Sequence, residues 1–279
     1  MIFRYVVAFA ATITLAACGG GGASTSSQPD PRPNDAPKSS SIDPNVAYVG
    51  DFLVYIDGKR YVMLTDCDGF DCQSSHREIE DTIPFHVSDF DPTTETNIGS
   101  PTKANGIEVA KVRKVDDGEI YDYYAGWGEH NAFLTAVISY TTPDGIEIEG
   151  ALPLSMGVSS GTSPVAGSGT WTGAMLGMSY SPRPFYSGLE KAVMGDALLT
   201  VDFHRMEVDV TFSSIRERGT GGDFLPDMTW DGLPIRSGEF QGEGLDGQFY
   251  GPNHEEAGGI FEAENPYRAV IGAFGAQRD

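Results

Sequence analysis

Three cysteines, five histidines and one serine motif are the residues of this 279-residue chain whose types could do chemistry. Cys18 follows Leu15-Ala16-Ala17 directly, so its thiol sits behind a run of small residues. Cys67 and Cys72 bracket Asp68-Gly69-Phe70-Asp71. Their spacing is not the C-x-x-C of a redox pair, and no histidine stands at the offset a zinc finger needs. Asp66, Asp68 and Asp71 suggest calcium, but the glycine falls too early for an EF-hand loop and no glutamate closes its register. Gly157-Val158-Ser159-Ser160-Gly161 fits G-x-S-x-G by letter. A nucleophile elbow must join a strand to a helix, and the following TSPVAGSG is a Pro/Gly linker that forms no helix. His254-Glu255-Glu256 lacks the second histidine of H-E-x-x-H. His76, His86, His130, His204 and His254 are scattered. Any one could be an axial haem ligand, and the spacing prefers none. The residues therefore specify no catalytic group, no metal set and no resident cofactor, and haem as a bound ligand stays open.

The start of the chain has a clearer chemistry. Arg4 precedes an uncharged apolar stretch from Tyr5 to Leu15, which is too short to remain as a membrane-spanning helix. Positive, apolar and small residues in that order are the pattern of a secretory signal, here residues 1–17. Leu15-Ala16-Ala17-Cys18 resembles the lipobox of bacterial lipoproteins. That resemblance implies cleavage before Cys18, acylation of its thiol and stable anchoring by more than one acyl chain. Glycine at position 19, in place of aspartate, favours the outer membrane by the sorting habits of such proteins. In an exported chain, a close pair such as Cys67 and Cys72 is expected to form a disulfide.

Residues 19–45 open on four glycines and continue with Ser, Pro and Asp, without an apolar residue able to seed a core. They read as a disordered tether with an end-to-end distance of roughly 30 Å. The net charge is −22, and cleavage before Cys18 removes Arg4 to leave −23. A surface this acidic repels phosphate backbones and excludes nucleic acid as a partner. It also disfavours electrostatic adhesion to anionic lipid.

Beyond residue 45 short alternating runs are broken by Gly, Asp and Pro, the pattern of an all-β chain. Asp57-Gly58, Asp117-Gly118 and Asp144-Gly145 each lie between such runs, and Asp-Gly supports the positive φ angles of two-residue hairpins. Residues 46–157 are expected to form an antiparallel domain with a long irregular excursion from about Thr65 to Ala104. SMGVSSGTSPVAGSG, residues 155–169, marks a boundary. Strands are then expected at about Thr170–Met178, Ala197–Phe203, Glu207–Phe212, Gly238–Gln241, Leu245–Tyr250, Gly258–Glu262 and Arg268–Phe274, with an eighth around Met228-Thr229-Trp230. Glycines inside several of these runs permit the bending of a small closed barrel, so residues 165–279 read as an eight-stranded antiparallel barrel.

The segment LDGQFYGPNHEEAGGIFEAENPYRAVIGAFGAQRD resembles the C-terminal barrel signature of transferrin-binding protein B and factor H-binding protein. Leu245, Gly247, Phe249, Tyr250, Gly251, Pro252, Glu256, Gly258, Gly259 and Phe261 match its first part. Gly272, Phe274, Gly275, Ala276 and Arg278 match its second. The resemblance implies a surface lipoprotein with a handle-like β domain, residues 46–157, followed by a barrel. The chain is short for two lobes and is similar to single-lobe relatives, some of which bind haem, haemoglobin or complement regulators. Phe249, Phe261 and Phe274 are expected to fill the barrel, with Gly251 and Pro252 in a turn.

The expectation is a non-enzymatic binding module, lipid-anchored at the outer membrane through Cys18 and exposed on the cell surface. It would capture a host protein, haem or another solute, and the resemblance implies export by a surface lipoprotein assembly modulator. The alternative is a periplasm-facing structural or envelope-assembly lipoprotein. The motif identifies a scaffold and leaves the ligand-binding residues unknown.

Overall fold

The computed structural model describes the backbone of residues 46–279 except 51, 57–58, 69–70, 77–78, 87–95, 98–101, 117–118, 142–146, 159–166, 181–188, 219–224 and 265–267. Side chains are described for 105–113, 122–137, 151–158, 167–180, 191–218, 225–264 and 268–279. Every regular element among the described residues is a strand.

An N-terminal sheet contains β1 (Val46–Gly50), β2 (Phe52–Ile56), β3 (Lys59–Asp68), β4 (Asp71–His76) and β5 (Ile79–His86). It continues through β6 (Thr96–Asn97), β7 (Thr102–Ala104), β8 (Ile107–Asp116), β9 (Glu119–Trp127), β10 (Asn131–Thr141) and β11 (Glu147–Val158). Its strand order is β5-β4-β3-β2-β11-β10-β9-β8-β6, with β1 paired to β11 and β7 to β8. The registers Ile56↔Lys59 and Asp116↔Glu119 leave two residues in each of the first two Asp-Gly turns. The third differs from expectation. Thr141↔Glu147 leaves a five-residue connection around Asp144-Gly145.

The expected irregular excursion from Thr65 to Ala104 is also corrected. β3 runs to Asp68, and β4 and β5 continue it as paired hairpin strands. β4, DCQSSH, is polar, so it lacks the apolar alternation by which a half-buried strand is read.

The barrel comprises β12 (Ser168–Tyr180), β13 (Leu189–Asp202), β14 (Glu207–Glu217) and β15 (Met228–Arg236). β16 (Glu239–Gly242), β17 (Leu245–Tyr250), β18 (Glu256–Glu264) and β19 (Ala269–Arg278) complete it. Each strand pairs with the next, and β19 pairs antiparallel with β12 to close the cylinder. Closure leaves no edge strand open to further pairing. β14 shows why it forms: Val208, Val210 and Phe212 are buried while Asp209 is exposed, the period-2 pattern of a stave with one wet face.

Side chains fill the interior. Phe212 lies 4.6 Å from Phe261, 5.2 Å from Phe274 and 5.3 Å from Trp230 between ring centroids. Phe249 packs at 5.2 Å on Trp171 and 5.4 Å on Phe240. These separations suit tilted aromatic pairs. Two glycines make the close packing possible. A Cβ on Gly259 would stand 2.1 Å from the Asp246 carbonyl oxygen, and one on Gly173 would stand 2.0 Å from that of Gly275.

β12, β18 and β19 break the one-sided rule, being buried on both faces. On β12, Trp171 and Met175 point into the barrel, whereas Ala174 and Leu176 point outward. The outward set packs with Ile260 and Ala273 against Ile107, Val109 and Phe133 of the N-terminal sheet. Tyr180, Met178, Ala269 and Ile271 extend that seam to Ala151.

Truncating Phe212 removes the ring shared by three aromatic neighbours, so Phe212→Ala should destabilise the chain by about 3–5 kcal/mol. Leu198 is exposed on the barrel's outer face, and Leu198→Ala should stay within about 0.5 kcal/mol. Urea unfolding followed by tryptophan fluorescence reads both.

Candidate functional site

The segment YYAGWGEHNAF, residues 123–133, forms the end of β9, a short turn and the start of β10, and it carries part of the sheet's contact with the barrel. Its register with β9 places Phe133 opposite Gly126, and the Phe133 ring occupies the space a Cβ on Gly126 would need. On the barrel side a Cβ on Gly275 would lie 2.5 Å from the same ring. One phenylalanine therefore seats between glycines on both units.

A polar network lies beside that ring. The buried Glu256 carboxylate accepts the backbone N–H of Glu129 at 2.5 Å through one oxygen and that of His130 at 3.0 Å through the other. Asn131 Nδ2 donates to Ser155 Oγ at 3.0 Å and to the Met156 carbonyl at 3.1 Å. Ser155 Oγ and the Tyr250 hydroxyl lie 2.9 Å apart, and Gln248 Nε2 donates to that hydroxyl at 3.1 Å. Two further bonds cross the seam onto β12: Thr135 Oγ1 donates to the Leu176 carbonyl at 3.2 Å and Asn105 Nδ2 to that of Gly173 at 3.1 Å.

Burial pushes the Glu256 carboxyl up from its ordinary value, against the pull of the two backbone donors and the His130 charge. Burial likewise pushes the Tyr250 phenol up to about 12, opposed by hydrogen bonds from Ser155 and Gln248. The members of this network satisfy one another. Its chemistry is that of a fitted joint, with no nucleophile poised against a base.

Of the histidines, His254 is buried with its ring edge-on to Phe249 at 5.8 Å, and its carbonyl accepts the Trp171 Nε1 hydrogen at 3.0 Å. His130 lies in the seam turn and His204 is exposed in the turn between β13 and β14. His76 and His86 end β4 and β5, and their side chains lie outside the described residues. Cys18 and Ser159 also lie outside them. The backbone register places Cys67 directly opposite Cys72 across the β3–β4 hairpin. Among the described residues, no three His, Cys, Asp or Glu side chains converge as a metal site.

An open groove of about 600 Å³ lies between β15, the β16–β17 turn and the facing ends of β18 and β19. Leu225, Met228, Trp230, Glu243, Glu262 and Arg268 are among its lining residues. Trp230 is held there by its Nε1–H bond to the Glu243 carbonyl at 2.9 Å. Glu262 also accepts the Tyr180 hydroxyl, which ties the groove to the seam.

A filled eight-stranded barrel is docked on a broad antiparallel sheet. Residues 164–278, the barrel, match the family described as C-lobe and N-lobe β barrels of Tf-binding protein B. That match spans the barrel and does not extend to the N-terminal sheet.

A transferrin-binding protein B from Haemophilus parasuis Hp5 aligns with 82% of this chain and 45% of its own, at 13% identity and TM-score 0.46. A protein described as a surface lipoprotein aligns over 83% of this chain and 99% of its own, at 14% identity and TM-score 0.42. The N-lobe of lactoferrin-binding protein B from Moraxella bovis covers 60% of this chain and 78% of its own, at 14% and 0.35. The chain spans under half the length of the Haemophilus protein. No curated protein sequence matches it.

The motif from Leu245 to Arg278 does two jobs. Phe249, Phe261 and Phe274 fill the barrel, as the sequence suggests, and Leu245 joins them. Tyr250, Glu256, Gly258 and Gly275 face the other way and receive the sheet, a role the sequence does not reveal.

Tyr250→Phe leaves Ser155 and Gln248 without the hydroxyl they share and should destabilise by about 1–3 kcal/mol. The phenol's folded value is raised, so its contribution is complete below pH 10 and is lost as pH rises towards 12. Urea midpoints measured from pH 8 to 12 should therefore converge for Tyr250→Phe and the parent chain at the alkaline end.

Proposed function

We propose that the chain is a non-enzymatic binding lipoprotein, anchored in the outer membrane through lipid on Cys18 and displayed on the cell surface. The barrel's match to the transferrin-binding-protein-B family carries this reading. The Leu-Ala-Ala-Cys signal and the tether of residues 19–45 support the anchor, since a flexible coil of that length lifts a domain clear of the headgroups. The ligand is a host protein, or a haem-like solute presented by one. Loops and the groove beside Trp230 are the surfaces free to differ while the barrel core stays fixed. Export would use a surface lipoprotein assembly modulator. Cys67 and Cys72 form a disulfide that staples their hairpin, consistent with directly opposed positions at which Cα atoms fall within bridging range.

Protease added to intact cells should degrade the protein, and Cys18→Ala should abolish both palmitate labelling and that surface population. Protection on intact cells with degradation after lysis would establish the periplasm-facing alternative. Serum passed over the immobilised chain should yield a retained protein, and haem titration should quench Trp230 if haem is the solute. Retention of neither would overturn the capture reading. Alkylation of the mature chain without reductant should leave Cys67 and Cys72 unmodified.

A further inference from the structure

Arg218 is anomalous in a chain with 40 carboxylates and 18 basic residues. It follows the end of β14, where its backbone N–H bonds to the Ala192 carbonyl at 2.9 Å. Its guanidinium lies across the seam over the Tyr124 ring, 4.1 Å from the centroid. Nη1 is buried and has no hydrogen-bond acceptor among the described residues. Three neighbouring cations have carboxylate partners. Lys111 and Arg113 share Asp122, at 2.9 and 2.7 Å, and Lys191 pairs with Glu217 at 2.7 Å. With so large an excess of acidic side chains, a half-buried guanidinium that has no carboxylate partner among the described residues is open to an acceptor from outside the fold.

We propose that Arg218, seated on Tyr124 at the junction of sheet and barrel, is an anchoring site for a carboxylate supplied by a ligand. The aromatic face fixes the plane of the guanidinium, and a planar fork held in this way suits bidentate capture of a carboxylate. Surroundings favour an anion locally although the whole chain repels one. Lys111 stands directly opposite Tyr124 in the β8–β9 register, and Arg216 precedes Arg218 by two residues on β14. Asp122 is a single carboxylate divided between two cations, so among the described residues this corner has more cations than carboxylates. The general field sets the affinity low for a small free anion. A carboxylate on a larger ligand gains from its other contacts. Tyr124 and Arg218 come from different units, so an occupied site also clamps sheet to barrel. The site is independent of whether the chain is surface-exposed or captures a host protein.

The test uses the chain from residue 19 onward with isotope-labelled arginine, following the Arg218 side-chain NMR signals. Sodium acetate is titrated against sodium chloride at equal ionic strength, and a triglutamate peptide is titrated in parallel. Acetate and peptide should each give a saturable shift of Arg218 that chloride does not, while exposed Arg205, already paired with Glu207, stays unmoved. Tighter binding of the peptide assigns the carboxylate to a partner's acidic side chain, and equal binding assigns it to a small carboxylate ligand. Tyr124→Leu, which keeps the charge but removes the platform, should weaken binding at least tenfold, and Arg218→Met should abolish it. A linear response matched by chloride, or equal shifts at Arg205, would overturn the proposal on the parent chain alone.

Discussion

The chain depends on one joint. Glu256, on the barrel strand β18, accepts two consecutive backbone N–H groups from the turn at Glu129 and His130 of the sheet. A carboxylate removed from water is unfavourable unless its lone pairs are filled. Here each oxygen is filled by the other unit, so neither the barrel's Glu256 nor the sheet's turn is satisfied alone. The Phe133 ring beside it makes the same statement in apolar terms, because it lies against Gly126 of its own sheet and Gly275 of the barrel. Sheet and barrel are therefore parts of one fitted structure.

Much of the barrel is legible in the residues. Alternation in LLTVDF and VDVTF, with tight turns between them, is enough to place β13 and β14 and their inward faces. Asp57-Gly58 and Asp117-Gly118 mark two-residue hairpins because the dipeptide's backbone preference is local. The N-terminal sheet is harder to read. β4 is polar and β6 and β7 are only two and three residues long, so none carries a readable apolar alternation. β13 begins at Leu189, earlier than alternation suggests, because Lys191 at the rim pairs with Glu217 and does not enter the core.

The joint is invisible to sequence reading for a physical reason. Asn131, Ser155, Tyr250 and Glu256 are polar or aromatic residues of ordinary type, and the partners of each lie up to 127 positions away. A motif such as Leu245-x-Gly247-x-Phe249-Tyr250 looks like core filling throughout, yet Phe249 and Tyr250 face opposite sides of one stave. The period of two that identifies a strand also hides which of its faces has the partner. The matched residues of the motif are committed to the interior and the seam, whereas the open groove is lined mostly by residues outside that matched set.

Amide hydrogen exchange at Glu129 and His130 tests the joint most directly. In the parent chain both amides should exchange as slowly as the barrel core. In Glu256→Gln, which keeps the side chain's size but can accept only one of the two bonds, exchange at the orphaned amide should accelerate at least tenfold, equivalent to about 1.4 kcal/mol. Fast exchange at both amides in the parent chain, or unchanged protection in Glu256→Gln, would contradict the account.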